Sequence, residues 1–327
     1  MKQTGLRLRF KRLVDAAAEL PARTRDYAAL GAAGITVLLW GSAFVGIRSA
    51  GHSYSPGALS LARLAVAVVA MAIIGLARGE RLPSRDALRE VGVPLLLCGV
   101  LWFGAYNVAL NSGERRVDAG TAAMLVGIGP ILIAVLAGLL LREGFPRSLF
   151  AGLAVAFVGI VVIAVASSSH TATTTGVLLC LAAAGAYAAG VIAQKIVLRR
   201  LTPIQIVFLC AVIGALVCMP FAPQLVHQLG AARGGATGWI VYLGVGPTAV
   251  GFITWGFALH RTSAGRLAAT TYLVPPISVL LGWAWLGESP AALAYLGGAL
   301  CLAGVAVSRR RPVLGTQTSV SRDTPRR

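Results

Sequence analysis

Long apolar runs, broken by short polar connections, make up most of the chain. A bilayer core about 30 Å thick takes about 20 apolar residues per helix. A window of that width finds ten runs: 28–50, 57–77, 91–111, 117–140, 147–167, 176–196, 204–224, 238–259, 264–286 and 291–308. The connections hold most of the charges, prolines and glycines, and almost nothing is left to build a soluble domain. The pattern predicts an all-α integral membrane protein with ten transmembrane helices.

Two segments lie outside these runs. Residues 1–27 place Leu6, Phe10, Leu13, Val14 and Ala17 at helical spacing among Arg7, Arg9, Lys11 and Arg12. That pattern predicts a basic amphipathic helix resting on anionic lipid. A signal peptide is the rival reading; against it, the first apolar run is full length and belongs to the repeat described below. Residues 309–327 are basic and polar and are expected to be disordered. Ten crossings put both tails on one side, which receives 24 of the 29 Lys and Arg; the other side receives Arg48, Arg115, Arg116 and Arg233. Such a bias predicts cytoplasmic termini.

Composition narrows the class. The chain is 57% hydrophobic and only 12% charged, with a mean hydropathy of +0.79; an ordinary soluble domain carries about 25% charge. The net charge of +18 would suggest nucleic acid in a soluble protein. Here the bases sit between apolar runs, so they read as topology signals and no nucleic-acid partner is expected. The five cysteines, Cys98, Cys180, Cys210, Cys218 and Cys301, all lie in apolar runs, where a thiol behaves as a small hydrophobe. No CxxC pair exists, and no metal or other cofactor is implied. The Ala-, Gly- and Arg-rich composition fits a bacterium with a GC-rich genome, and hence its cytoplasmic (inner) membrane.

The chain repeats itself. A constant offset of 145 residues pairs Ala119 with Ala264, Gly120 with Gly265, Pro130 with Pro275, Glu143 with Glu288, Gly152 with Gly297 and Gly159 with Gly304. The earlier parts of the halves match only weakly, outside that offset: Ser55-Pro56 before the second helix resembles Thr202-Pro203 before the seventh. The halves are therefore helices one to five (28–167) and six to ten (176–308). Five is odd, so the second half enters the membrane from the opposite face. Inverted repeats of this kind characterise secondary transporters, with a site near the midplane at the repeat interface.

These residues resemble a known family. Leu39-Trp40-Gly41-Ser42-Ala43-Phe44 in the first helix, Pro56 with Arg63 in the second, and the Ala119-Gly120…Pro130…Leu141-Arg142-Glu143 block with its second copy ending in Glu288 are similar to the EamA branch of the drug/metabolite transporter superfamily. The resemblance covers residues 28–308. It implies ten helices around a central cavity and the movement of small metabolites, often amino acids, by alternating access; export is the expected direction. One departure stands at Arg142, where the family more often has glycine before the glutamate.

The candidate site follows from polar and aromatic residues far from helix ends: Trp40, Ser42, Trp102, Tyr106, Asn107, Tyr187, Gln194, Thr248, Thr254, Trp255, Thr271 and Tyr272. A mostly apolar cavity with a few convergent polar groups suits a small molecule. The same residues could serve as interhelical hydrogen bonds or belt aromatics. Arg63, about six residues into the second helix, reads either as an anchor for an anionic substrate group or as a snorkelling side chain. Its repeat mate is Cys210, so the scaffold does not need the charge twice. Glu143 and Glu288 read as gate latches that pair with Arg or with helix N-terminal amides, or as solvated turn carboxylates. Pro130 and Pro275-Pro276 read as hinges or static kinks. Gly152, Ala156 and Gly159, mirrored by Gly297 and Gly304, are expected to give close helix packing. None of the eleven acids sits mid-helix, so coupling through a buried carboxylate is not expected. A lipid or lipid-linked sugar flippase on the same scaffold is the alternative function. An intramembrane enzyme would need paired catalytic groups that the sequence does not offer. The expected partners are a small-molecule metabolite and membrane lipids.

Overall fold

The computed structural model describes residues 27–116, 125–167, 173–232, 234–286 and 292–308. Both tails, Asp118–Gly120 and Glu288 lie outside the described residues. Ten helices appear among those described. They are α1 (Tyr27–Gly51), α2 (Pro56–Ala77), α3 (Arg85–Gly113), α4 (Gly129–Leu140), α5 (Arg147–Ser167), α6 (Thr174–Val197), α7 (Pro203–Ala231), α8 (Gly234–Leu243 running on to Arg261), α9 (Ala264–Thr270 running on to Leu286) and α10 (Ala292–Ser308). Eight are long and apolar enough to cross a membrane, and α4 and α10 are shorter apolar helices. The protein is an all-α, multi-pass membrane protein, as the apolar runs predict. The face where α1 begins and α10 ends is the tail face, and the opposite one is the far face.

Helix starts follow local chemistry. Pro56 and Pro203 occupy first-turn positions, where a missing N–H costs nothing. Thr202 and Gln205 close a capping box at the start of α7, and Ser84 caps α3. The turn after α4 holds Arg142 at φ 54°. A side chain at positive φ is strained, so this left-handed position suits glycine better than arginine.

The repeat is visible in the helix defects. α3 carries a π-helical stretch over Cys98–Ala105, and α8 carries one over Gly244–Val250. Their ends, Ala105 and Val250, are 145 residues apart, the same offset that the sequence repeat shows. The apolar pattern gives no hint of these widened turns. They concentrate at functional positions in helices generally, and Trp102, within the first of them, lines the cavity described below.

The tightest pairing joins α5 to α10. A methyl group placed on Gly159 would lie 2.6 Å from the carbonyl oxygen of Gly297, and one on Gly304 would run into the backbone of Ala156. Small residues let these backbones touch, and the dispersion gained drives helix association where lipid offers no hydrophobic gain. The glycines of the two repeats therefore meet crosswise, Gly159 with Gly297 and Gly152 with Gly304. All five cysteines are buried and free.

Candidate functional site

A cavity of about 140 Å³ lies between the two halves. That is about ten times what a single water needs. Trp40, Trp102, Tyr106, Asn107, Tyr187, Tyr272, Pro130, Pro275 and Arg63 all line it, together with Phe252, Thr271, Asn111 and Glu114. Residues from both repeats thus converge on one space.

Its wall is aromatic. Trp40 stacks at 5.0 Å on Trp255 and meets Trp102 edge-on at 6.1 Å. Trp102 lies 4.8 Å from Phe252 and 5.4 Å from Tyr187. Contacts of this kind add modestly to the large area each ring buries. The Trp40 indole N–H donates to the carbonyl of Pro247 at 3.2 Å. Trp255 is fully buried behind Trp40, so it supports the wall without lining the space.

Arg63 does not snorkel. It is buried, and its Nε and Nη2 donate to the Thr248 hydroxyl at 3.1 and 2.9 Å. The sequence explains that acceptor. Pro247 has no N–H to give to the carbonyl of Leu243, and the Thr248 hydroxyl donates there instead, at 2.8 Å. Its oxygen is left facing the guanidinium. The remaining guanidinium donors border the cavity. Tyr106 sits within electrostatic reach of both Arg63 and Glu114.

Other polar candidates are engaged in hydrogen bonds within the fold or sealed away, Asn107 while also lining the cavity. Ser42 bonds to Leu39 and to the Tyr242 hydroxyl. Thr254 meets the buried Thr36 hydroxyl at 2.8 Å, joining α8 to α1. Asn107 donates to the Phe103 carbonyl at 2.8 Å, within the widened turns of α3. Gln194 lies off the cavity, fully buried, and among the described residues neither end of its amide has a partner, nor has the Trp255 indole N–H. At the cavity itself, Asn111 Oδ1 and the Tyr272 hydroxyl are buried without a partner among the described residues.

The tail-face side of the cavity is closed. Glu143, after α4, accepts the N–H groups of Ala264 at 2.8 Å and Gly265 at 3.3 Å, at the start of α9. A carboxylate there also faces the positive end of the helix dipole. Lys195 of α6, which charge counting treats as a loop residue, is instead buried. Its ammonium donates to the carbonyls of Leu259 and Thr262, where α8 ends. An anion and a cation thus fasten the same α8–α9 connection. Glu288, the repeat mate of Glu143, falls outside the described residues.

Glu114 is an acid that the helix pattern alone passes over. It ends α3, as its position predicts, yet it lines the cavity. Burial raises its carboxyl to about 7, and the charge of Arg48 on α1 opposes that rise. The expectation that no cavity carboxylate exists is therefore corrected. A helix-end residue can reach a cavity that extends to the far face, and spacing along one helix does not reveal that.

Comparison with known proteins agrees with this architecture. The EamA-like transporter family matches residues 28–165 and again 174–310. A probable terminal-alkyne amino-acid exporter of Streptantibioticus cattleyicolor is 40% identical over 88% of this chain and 95% of its own length. A probable amino-acid metabolite efflux pump of Salmonella typhimurium is 28% identical over 84% of this chain and 92% of its own. One solved crystal structure superposes with a TM-score of 0.74 at 22% identity, covering 88% of this chain and 97% of that one. Two inverted five-helix halves, a cavity walled from both, and two family matches laid end to end lead to one conclusion: the chain belongs to the EamA-like transporter family, as a carrier of small molecules rather than an enzyme.

Proposed function

We propose that the protein exports amphiphilic amino acids across a bacterial cytoplasmic membrane by alternating access, with the tail face in the cytoplasm. The observation that carries this reading is the cavity's division of labour. Arg63 presents a fixed cation to a carboxylate, and Trp40, Trp102, Tyr187 and Phe252 offer an apolar aromatic surface to a side chain. The names of the two curated relatives, both amino-acid exporters or efflux pumps, point the same way. The 24-to-4 distribution of basic residues supports cytoplasmic termini.

The tail-face closure at Glu143 and Lys195 fits an outward-facing state. In the inward-facing state those contacts part and the buried Gln194 and Trp255 polar groups meet water. Pro130 and Pro275 stand where each half would bend. Pro130 sits in the first turn of α4, and Pro275 follows a 3₁₀ turn at Thr271–Leu273. A partner set of metabolite and membrane lipid, anionic at the basic tails, completes the picture.

The test is counterflow in proteoliposomes with L-propargylglycine, L-norvaline and L-leucine, with Arg63→Ala alongside wild type. Wild type should exchange at least one of them, and the variant should lose most of that exchange. No exchange of any amino acid, combined with scrambling of a fluorescent lipid, would favour the flippase instead. Exchange that survives Arg63→Ala would remove the carboxylate anchor.

A further inference from the structure

The cavity holds one cation that the transport reading uses and one anion that it does not. Glu114 lines the same space as Arg63. Among the described residues its carboxylate forms no hydrogen bond or ion pair. The charges around it are otherwise engaged or set back. On its own helix, Arg115 donates to the carbonyls of Tyr54 and Gly51 at 2.9 and 3.4 Å, and Arg116 donates to Ser112 at 2.8 Å. From α1 the exposed Arg48 acts on it, and from α6 Cys180 lies within electrostatic reach. From α2, Arg63 lines the same cavity, and both it and Glu114 lie within electrostatic reach of Tyr106. Asn111, one turn before Glu114, leaves its side-chain amide oxygen unpartnered. Glu114 and the Asn111 amide oxygen thus offer acceptors in the cavity where Arg63 offers donors.

Resting on the transport reading above, we propose that Glu114 is the anionic station of the cavity. Its carboxylate alternately holds the ammonium group of the substrate and a proton, so that each ammonium leaving is exchanged for a proton entering. In the outward-facing state a proton from far-face water joins the carboxylate and the ammonium departs to that water. In the inward-facing state an arriving ammonium displaces the proton to the cytoplasmic side. No covalent bond to carbon changes, and the site carries the same charge in both loaded forms. That Glu114 lines the same cavity as Arg63 carries the assignment, and a carboxyl that titrates near 7 suits the exchange.

Three probes separate the two charges: L-propargylglycine, its deaminated analogue pent-4-ynoate, and its decarboxylated analogue but-3-yn-1-amine. Binding is read by thermal shift, and proton movement by a lumenal pH dye in proteoliposomes. Efflux of L-propargylglycine should acidify the lumen in wild type and in Glu114→Asp, but not in Glu114→Gln. The amine should bind wild type about tenfold more weakly at pH 6 than at pH 8, as expected for a site titrating near 7, and should lose both affinity and pH dependence in Glu114→Gln. Binding of pent-4-ynoate should depend on Arg63 and not on Glu114. Lumenal acidification by Glu114→Gln equal to wild type overturns the proposal while leaving amino-acid export standing. If wild type moves no amino acid but still binds the amine through Glu114, the export reading fails and the anionic station survives. If it does neither, both fall.

Discussion

The carboxylate of Glu143 accepts the backbone N–H of Ala264 at 2.8 Å, so a side chain from the end of α4 caps the first turn of α9. Two helices that are repeat mates are thereby joined at one face of the protein. Replacing Glu143 with Gln keeps the shape and removes the charge that faces the helix dipole. An N-terminal cap is worth about 1 kcal/mol, so the melting temperature should fall by a few degrees. The variant should also open the tail face more often. Gln194→Cys, buried behind that face, should stay unreactive toward a membrane-impermeant maleimide in the parent and become reactive in the Glu143→Gln background. Unchanged labelling would reduce Glu143 to a structural cap.

Thr248 is the support on which Arg63 rests. Thr248→Val removes the hydroxyl that accepts from Nε and Nη2 and that satisfies the Leu243 carbonyl. A buried hydrogen bond to a charged group contributes about 1.5–3 kcal/mol. Affinity for a carboxylate ligand such as L-propargylglycine should drop by about tenfold, with a smaller loss in Thr248→Ser. Equal affinities in the three proteins would show that the guanidinium is held by something other than this hydroxyl.

The α5–α10 crossing leaves no room for a side chain. Gly159→Leu must push Cβ against the Gly297 carbonyl and Cys301, and overpacking of this kind costs about 1–3 kcal/mol or more. Gly185→Leu on α6, where an added Cβ meets nothing within 4 Å, is the control and should be near neutral. Melting of the detergent-solubilised protein followed by size-exclusion chromatography distinguishes them, and comparable stability of both variants would contradict the packing assigned to this pair.

Glu114 makes stability depend on pH in a defined direction. Its carboxyl is raised from 4.5 to about 7 by burial. Below 4.5 the folded and unfolded chains both hold the proton. Between 4.5 and 7 the unfolded chain gives it up while the folded chain keeps it, so stability falls as pH rises through that window and levels off above it. Compared with Glu114→Gln, wild type should lose melting temperature between about pH 5 and pH 7. A constant difference across that range would show an ordinary, solvated carboxylate.

Much of this protein is legible in its sequence, and the reason is the solvent. A bilayer forces every backbone polar group to be satisfied within its own helix, so apolar run lengths dictate helix number and approximate ends. The 145-residue offset dictates two halves of opposite sense. It also marks Gly159 and Gly297 as packing residues, because close backbone approach permits nothing larger. Trp40, Trp102, Tyr106, Asn107, Tyr187 and Tyr272 are legible as cavity candidates because large aromatic and polar groups are rare at mid-bilayer without a purpose.

Tertiary structure decided what one helix cannot encode. Arg63 could anchor a ligand or reach for the interface until Thr248, 185 residues away, supplied its acceptor. Ser42, Thr254 and Gln194 resemble their cavity neighbours in sequence, yet packing turns them toward other helices or seals them from the cavity. Lys195 reads as a loop charge until the end of α8 closes over it. Glu114 reads as a helix-end acid until the cavity extends to it. Each of these depends on which helix faces which. That choice is made by side chains distant in sequence, whereas helix number and sense are fixed locally by hydrophobic length.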